Sequence, residues 1–249
     1  SPFPLLATQV GHDCAGAVQF CAPGEVDDLL ARPGTVQPLS EAEIADRMRA
    51  LRTDTTTWLG PEFTGRFSLA GAQAKTALAF DEVHGWVQPG GSAPTTHILK
   101  PAVVGLDGHD LNEHLCLAAA RRCGLVVAST RVEAFEDQTA IVVERYDRHV
   151  VAGELTRIHQ EDVCQALGID PSRKYQSDGG PSPADIAGLL RSVLPADRAL
   201  HDIRRFVDAL AFNWIVAGTD AHAKNYSLLH AGHQTRLAPL YDVASALPY

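Results

Sequence analysis

Gly218-Thr219-Asp220-Ala221-His222-Ala223-Lys224-Asn225 is the stretch that decides how this chain is read. Polar and ionisable groups crowd it, while the residues on either side are apolar. Upstream, Ile203, Phe206, Val207, Leu210, Ala211 and Ile215 recur at helical spacing, which predicts a helix from Asp202 to Val216 buried on that face and capped by Gly218. Downstream, Tyr226 to Leu229 and Leu237 to Tyr241 predict a hairpin turning at Ala231-Gly232. A polar loop held between a buried helix and a strand is where a fold mounts chemistry on a fixed support. Such a loop is also compatible with an ordinary turn, in which the Asp and Asn bond to their own backbone.

Asp220 and Asn225 stand five positions apart, the interval between the base and the metal-binding Asn of a protein-kinase catalytic loop. A carboxylate can orient a hydroxyl and accept its proton. An amide oxygen suits a hard Mg²⁺ ion. Asp242 follows the apolar pair Leu240-Tyr241, where a second metal-binding carboxylate is expected, and the short hairpin is enough to bring it to Asn225. Lys100 ends an apolar strand just before Pro101, the place of a phosphate-binding lysine, with Glu113 on the next helix to orient it. The small residues of Ser68-Leu69-Ala70-Gly71-Ala72-Gln73-Ala74-Lys75-Thr76 let backbone N–H groups approach phosphate oxygens, and Lys75 adds charge. Each signal alone also fits a solvated edge or a structural turn.

Working outward, Ser40 and Glu43 form a capping box ahead of a helix with Ile44, Met48 and Leu51 on one face. Thr76 to Phe80, Thr95 to Lys100 and Thr139 to Glu144 predict strands, with Gln88-Pro89-Gly90-Gly91 as a turn between the first two. Asn112 to Arg122 predicts a helix stopped by Gly124. Pro33-Gly34 and Pro38 mark a linker, and Gly11-His12-Asp13 a turn. The chain has 249 residues and a formal net charge of -9, a surface that repels nucleic-acid backbones. Its 5 cysteines contain no C-x-x-C pair, which argues for reduced thiols in a cytoplasmic protein, and His12, Cys14 and Cys21 are poorly spaced for zinc. No apolar run reaches the roughly 18 residues of a membrane span.

In order along residues 60–249, Ser68 to Ala77, Pro94 to Lys100, Asn112-Glu113-His114, Val143 to Arg148, Gln160 to Gln165, Lys174 to Pro181, Thr219 to Asn225 and Tyr241-Asp242-Val243 together resemble the HipA family, the kinase toxins of bacterial toxin–antitoxin modules. The resemblance implies an α+β, two-lobed protein-kinase-like fold truncated at both ends. Residues 1–35 would be the tail of a preceding subdomain, 36–145 a β-rich lobe and 146–249 an incomplete helical lobe, with a cleft between the lobes. It implies ATP and Mg²⁺, with Asp220 as catalytic base and Asn225 and Asp242 as metal ligands. It places Ala70, Gly71, Ala72, Gln73, Ala74, Lys75, Lys100, Glu144, Arg145, Tyr146, His222, Ala223, Lys224 and Tyr241 around the nucleotide, and autophosphorylation at Ser68. Implied partners are a protein substrate, an aminoacyl-tRNA synthetase, and a small DNA-binding antitoxin through which alone DNA is met. Lys174 to Pro181 is read either as a substrate contact or as a Gly-rich loop. Two other readings remain open: a catalytically weak antitoxin-binding module, and a small-molecule or lipid kinase.

Overall fold

The computed structural model describes residues 13–31, 34–53, 67–68, 73–151 and 154–249. The chain divides into two compact units, Ser1–Leu111 with Ser129–Arg157, and Asn112–Ala128 with Ile158–Tyr249.

The first unit holds β1 (Asp13–Cys14), α1 (Val26–Ala31), β2 (Thr35–Pro38), α2 (Glu41–Thr53), β3 (Phe67–Ser68), β4 (Thr76–Asp81), β5 (Gly85–Gly90) and β6 (His97–Pro101). After α3 (His109–Arg122), which runs across the division, come β7 (Thr130–Phe135), β8 (Gln138–Glu144), β9 (Arg148–Val151) and β10 (Glu154–Arg157). Six strands form one antiparallel sheet in the order β2-β5-β4-β6-β8-β7. The capping box is present: Ser40 N donates to Glu43 Oε2 at 2.7 Å and Glu43 N to Ser40 Oγ at 3.3 Å. The helix it starts buries Ile44, Ala45, Met48 and Leu51 against Leu78, Leu99, Phe135, Ala140 and Val142 of the sheet. Each such apolar side chain contributes about 1.5–3 kcal/mol by leaving water.

Two segments read as linker and turn are strands. Thr35–Pro38 forms the exposed edge, where a proline costs no ladder bond, and Gln88-Pro89-Gly90 lies within β5. Asp13 lies in β1, parallel to β3, while Gly11 and His12 of the expected turn are outside the described residues. Asp13 is a hub. It receives Arg148 at 2.8 Å, Arg157 at 2.9 Å and Arg145 at 3.3 Å, and both the N–H and hydroxyl of Thr95. Asp147 completes the cluster with Arg145 at 2.7 Å. Burial alone would raise the Asp13 carboxyl, but the guanidiniums of Arg145, Arg148 and Arg157 outweigh it and hold it below 3.8. Three arginines face two carboxylates, so burial and the neighbouring Arg145 push Arg148 down to about 10. Burial and the adjacent Asp13 push the Cys14 thiol up to about 11, which leaves it a neutral packing group.

The second unit adds β11 (His159–Asp162), α4 (Val163–Ala166), two 3-10 turns (Pro171–Arg173 and Gln176–Asp178), α5 (Pro183–Val193), α6 (Ala196–Ile215), a third 3-10 turn (Ala223–Asn225), β12 (Ser227–Ala231) and β13 (Gln234–Leu237). The hairpin turns where expected, with Ala231 paired to Gln234, but its second strand is Gln234–Leu237 instead of Leu237 to Tyr241, and β11 is added as a third strand beside β12. The long helix begins six residues before the predicted start, and its buried face is rotated from the predicted one. Ala199, Asp202, Phe206, Ala209, Phe212 and Asn213 face inward, while Val207, Trp214 and Ile215 are exposed. The cause is a buried carboxylate. Asp202 accepts Leu237 N at 2.9 Å and Arg236 Nε at 3.1 Å, so it fastens the helix to β13.

Candidate active site

The polar stretch is built from the end of α6. Val216 caps the helix, Ala217 takes a left-handed φ of 52°, and Gly218 N donates to Asn213 O at 2.7 Å. Gly218 is therefore not the left-handed cap expected of it. It is there because a Cβ would stand 2.5 Å from Asn213 Oδ1. The loop then tightens into the 3-10 turn. His222 N donates to Asn225 Oδ1 at 3.1 Å and Asn225 N to His222 O at 2.9 Å. Beneath it Tyr226 is buried edge-on against Phe206, with ring centroids 4.9 Å apart.

The hairpin returns the chain to this turn. Asn225, itself buried, directs Nδ2 at Asp242 O and Oδ2, 3.4 and 3.5 Å away. Asp242 has φ 59°, a left-handed conformation uncommon for any residue but glycine, though more accessible to aspartate than to most. On one side Leu240 N donates to Val126 O and Ala128 N to Leu240 O, both at 2.9 Å. On the other, the Asn112 amide grips Ser245 from both ends: Nδ2 donates to Ser245 O at 2.7 Å, and Oδ1 accepts Ser245 N at 3.0 Å. Clamped on both flanks, Asp242 has no room to relax. The Tyr241 hydroxyl lies 2.7 Å from both Lys224 O and Ser227 Oγ and holds the loop to β12.

Asp220 is exposed, and its carboxylate accepts the Tyr175 phenol through Oδ1. That bond pushes the Tyr175 hydroxyl up to about 12, so it remains a donor. Burial and the nearby Lys174 lower His222, leaving a neutral imidazole whose Nδ1 is buried with no hydrogen-bond partner among the described residues. Lys224 pairs with Asp162 at 2.5 Å. Asp162 also caps α4 through Gln165 N. Neither Asp162 nor Tyr175 was singled out from sequence, although Gln160 to Gln165 and Lys174 to Pro181 stood out as motifs. A sequence shows spacing within a segment and not which segment it docks on.

In the first unit, Lys75 immediately precedes β4, whose Thr76 pairs with Leu99, and Lys100 follows Leu99 on β6. Both lysines are buried. Gln73 Nε2 donates to Pro101 O at 3.3 Å, drawing its segment to the same corner, with Ala74 packed on the core. Ser68 lies on β3, and Ala70, Gly71 and Ala72 lie outside the described residues. At the end of β8, Glu144 is exposed and half-buried Tyr146 follows. Between them, Arg145 spends its guanidinium on Asp147, Asp13, Thr95 and the Cys14 carbonyl. In the second unit, Glu113 is buried on α3 and Ala223 within the 3-10 turn.

A carboxylate and an amide oxygen are the hard donors Mg²⁺ takes when phosphate oxygens complete its shell, so Asn225 and Asp242 suit that ion by residue type; here the amide turns Nδ2 to Asp242 and gives Oδ1 to His222 N, and holding the ion requires the amide to rotate. Among the described residues, no group of three or more His, Cys, Asp and Glu forms a metal cage, and no helix is long and apolar enough to cross a membrane.

The chain is 40% identical over 248 residues to the putative kinase Y4mE of Sinorhizobium fredii, covering 98% of this chain and 58% of the relative. It is 29% identical over 259 residues to the serine/threonine-protein kinase toxin HipA of Shewanella oneidensis, covering 98% and 57%. It thus spans little more than half the length of these relatives. The solved Shewanella complex of HipA, HipB and operator DNA matches with a TM-score of 0.71 at 26% identity, over 94% of this chain and 55% of the solved one. That match shows the kinase-like fold expected from the sequence. Residues 67–249 match the HipA-like C-terminal domain, and the chain belongs to that family.

Proposed function

We propose that this chain carries the nucleotide-handling and catalytic residues of an ATP-dependent serine/threonine protein kinase acting as the toxin of a toxin–antitoxin module. The observation that carries the reading is Asn225 set against a strained, doubly clamped Asp242, with Asp220 held on the same loop. Strain of this kind is tolerated where function requires it. Asp220 orients the acceptor hydroxyl and takes its proton as the acceptor oxygen bonds to the γ-phosphorus of ATP. The bond from that phosphorus to the β–γ bridging oxygen breaks, and ADP leaves. Lys75 and Lys100 offset the charge of the phosphate oxygens, and His222 lies beside the nucleotide. Glu144, Arg145 and Tyr146 form the adenine-side segment. Asn225 and Asp242 would hold Mg²⁺, which when bound neutralises charge on the phosphates.

Finer features rest on the family. The substrate is a translation protein, an aminoacyl-tRNA synthetase. The enzyme is cytoplasmic and is silenced by autophosphorylation at Ser68, where about -1.5 to -2 of added charge repels ATP phosphates. A small antitoxin binds it and supplies the contact with DNA, in keeping with the acidic net charge of -9. The Shewanella relative was solved with HipB and operator DNA. Transfer of label from γ-labelled ATP to protein, followed by mass spectrometry of the products and of Ser68, tests the reading. Asp220→Asn is expected to abolish transfer while ATP still binds. Transfer at the parent rate by that variant would remove Asp220 from the chemistry.

A further inference from the structure

Resting on that reading, we infer that Tyr175 is the positioning residue for Asp220, and that the segment from Lys174 to Pro181 is folded to deliver it. Tyr175 and Asp220 are 45 positions apart, yet the phenol donates to one carboxylate oxygen, Oδ1. A carboxylate offers two oxygens. With Oδ1 engaged, the side chain is held in one orientation and Oδ2 remains for an acceptor hydroxyl. A single-bonded Asp on an exposed loop otherwise rotates freely, and loss of orientation is costly in a transfer reaction.

The segment is not the loose Gly-rich loop its composition allows. Asp178 N and Gly180 N both donate to Tyr175 O, at 3.1 and 2.9 Å, and Arg173 donates to Gly179 O at 2.6 Å. Gly180 is packed so closely that a Cβ would collide with Arg173 O and stand 2.7 Å from Tyr175 O. Lys174 O accepts Ala223 N at 3.1 Å, which sews the segment directly to the 3-10 turn carrying Asn225. The Tyr175 ring meets His222 edge-on at 5.0 Å, and the Lys174 ammonium lies 4.9 Å from its centroid. These contacts fix the ring independently of its hydroxyl. The hydroxyl is thus free to act on Asp220 alone.

Tyr175→Phe keeps the ring and deletes the donor, and is measured in the full chain beside the parent enzyme and Tyr175→Ala. The expected result is a kcat for protein phosphorylation lowered about ten- to a hundred-fold, with KM for ATP and the melting temperature unchanged. Tyr175→Ala is expected to lower kcat at least as far and to raise KM as well, since it also unseats His222. A Tyr175→Phe enzyme with the parent kcat overturns the inference. So does a raised kcat, which would make the phenol a plug on the carboxylate, and so does a joint loss of kcat, ATP affinity and melting temperature, which would make it a structural strut. A parent chain that transfers no phosphate sinks the underlying kinase reading instead.

Discussion

At the scale of single residues, Asp242 is the most informative. A non-glycine residue at φ 59° costs about 1–2 kcal/mol, and glycine is the residue that tolerates it. Asp242→Gly is therefore expected to raise the melting temperature slightly or leave it unchanged while eliminating Mg²⁺-dependent phosphoryl transfer. Calorimetric melting alongside labelled-ATP transfer checks both halves, and a variant that melts lower and still transfers phosphate would refute the argument. Nothing in Leu240-Tyr241-Asp242 announces that conformation. The position of the aspartate was legible in the sequence and its strain was not, because the strain comes from Val126, Ala128 and Asn112, more than a hundred residues away.

At the scale of elements, reading succeeded where one segment holds its own signal. The capping box at Ser40, the Ile44-Met48-Leu51 stripe and the hairpin about Gly232 are local patterns, and all three are present. It failed at α6 for a physical reason. Hydropathy ranks Asp202 and Asn213 as outward-facing, but each is buried with partners, Asn213 through Ala209 O at 3.0 Å. Asp202→Ala strands Arg236, Arg205 and the Leu237 N–H, and is expected to cost about 3 kcal/mol. Denaturant melts measure this directly. A loss below about 0.5 kcal/mol would mean that the carboxylate is not the fastening between helix and strand.

At the scale of the whole molecule, the residues that fold it and those proposed to act are largely separate sets. The first unit relies on a buried ion cluster that composition does not reveal. Asp13 and Asp147 are both held below 3.8, burial being outweighed by their arginines. Carboxyls depressed on folding add stability that is complete above 3.8 and is lost as the pH falls through their folded values. Burial also holds His97 down to about 4 and lowers His222, so the melting temperature is expected to start falling as the pH drops below about 6.5, and to fall further below about pH 4 as the carboxyls protonate. Asp13→Asn should melt lower at pH 7 by the equivalent of about 3 kcal/mol and show a shallower acid decline. An unaltered acid profile in that variant would show that other carboxylates govern it.

The hairpin has a practical side. Asn225 lies at the base of β12, while Gly232 and His233 form the exposed tip, with Gly232 at φ 59°. Five residues of strand separate the two, roughly 15 Å of rigid ribbon. An affinity handle or fluorescent reporter spliced into that tip would travel with the chain without touching the proposed site, so a tagged protein could be followed while it works.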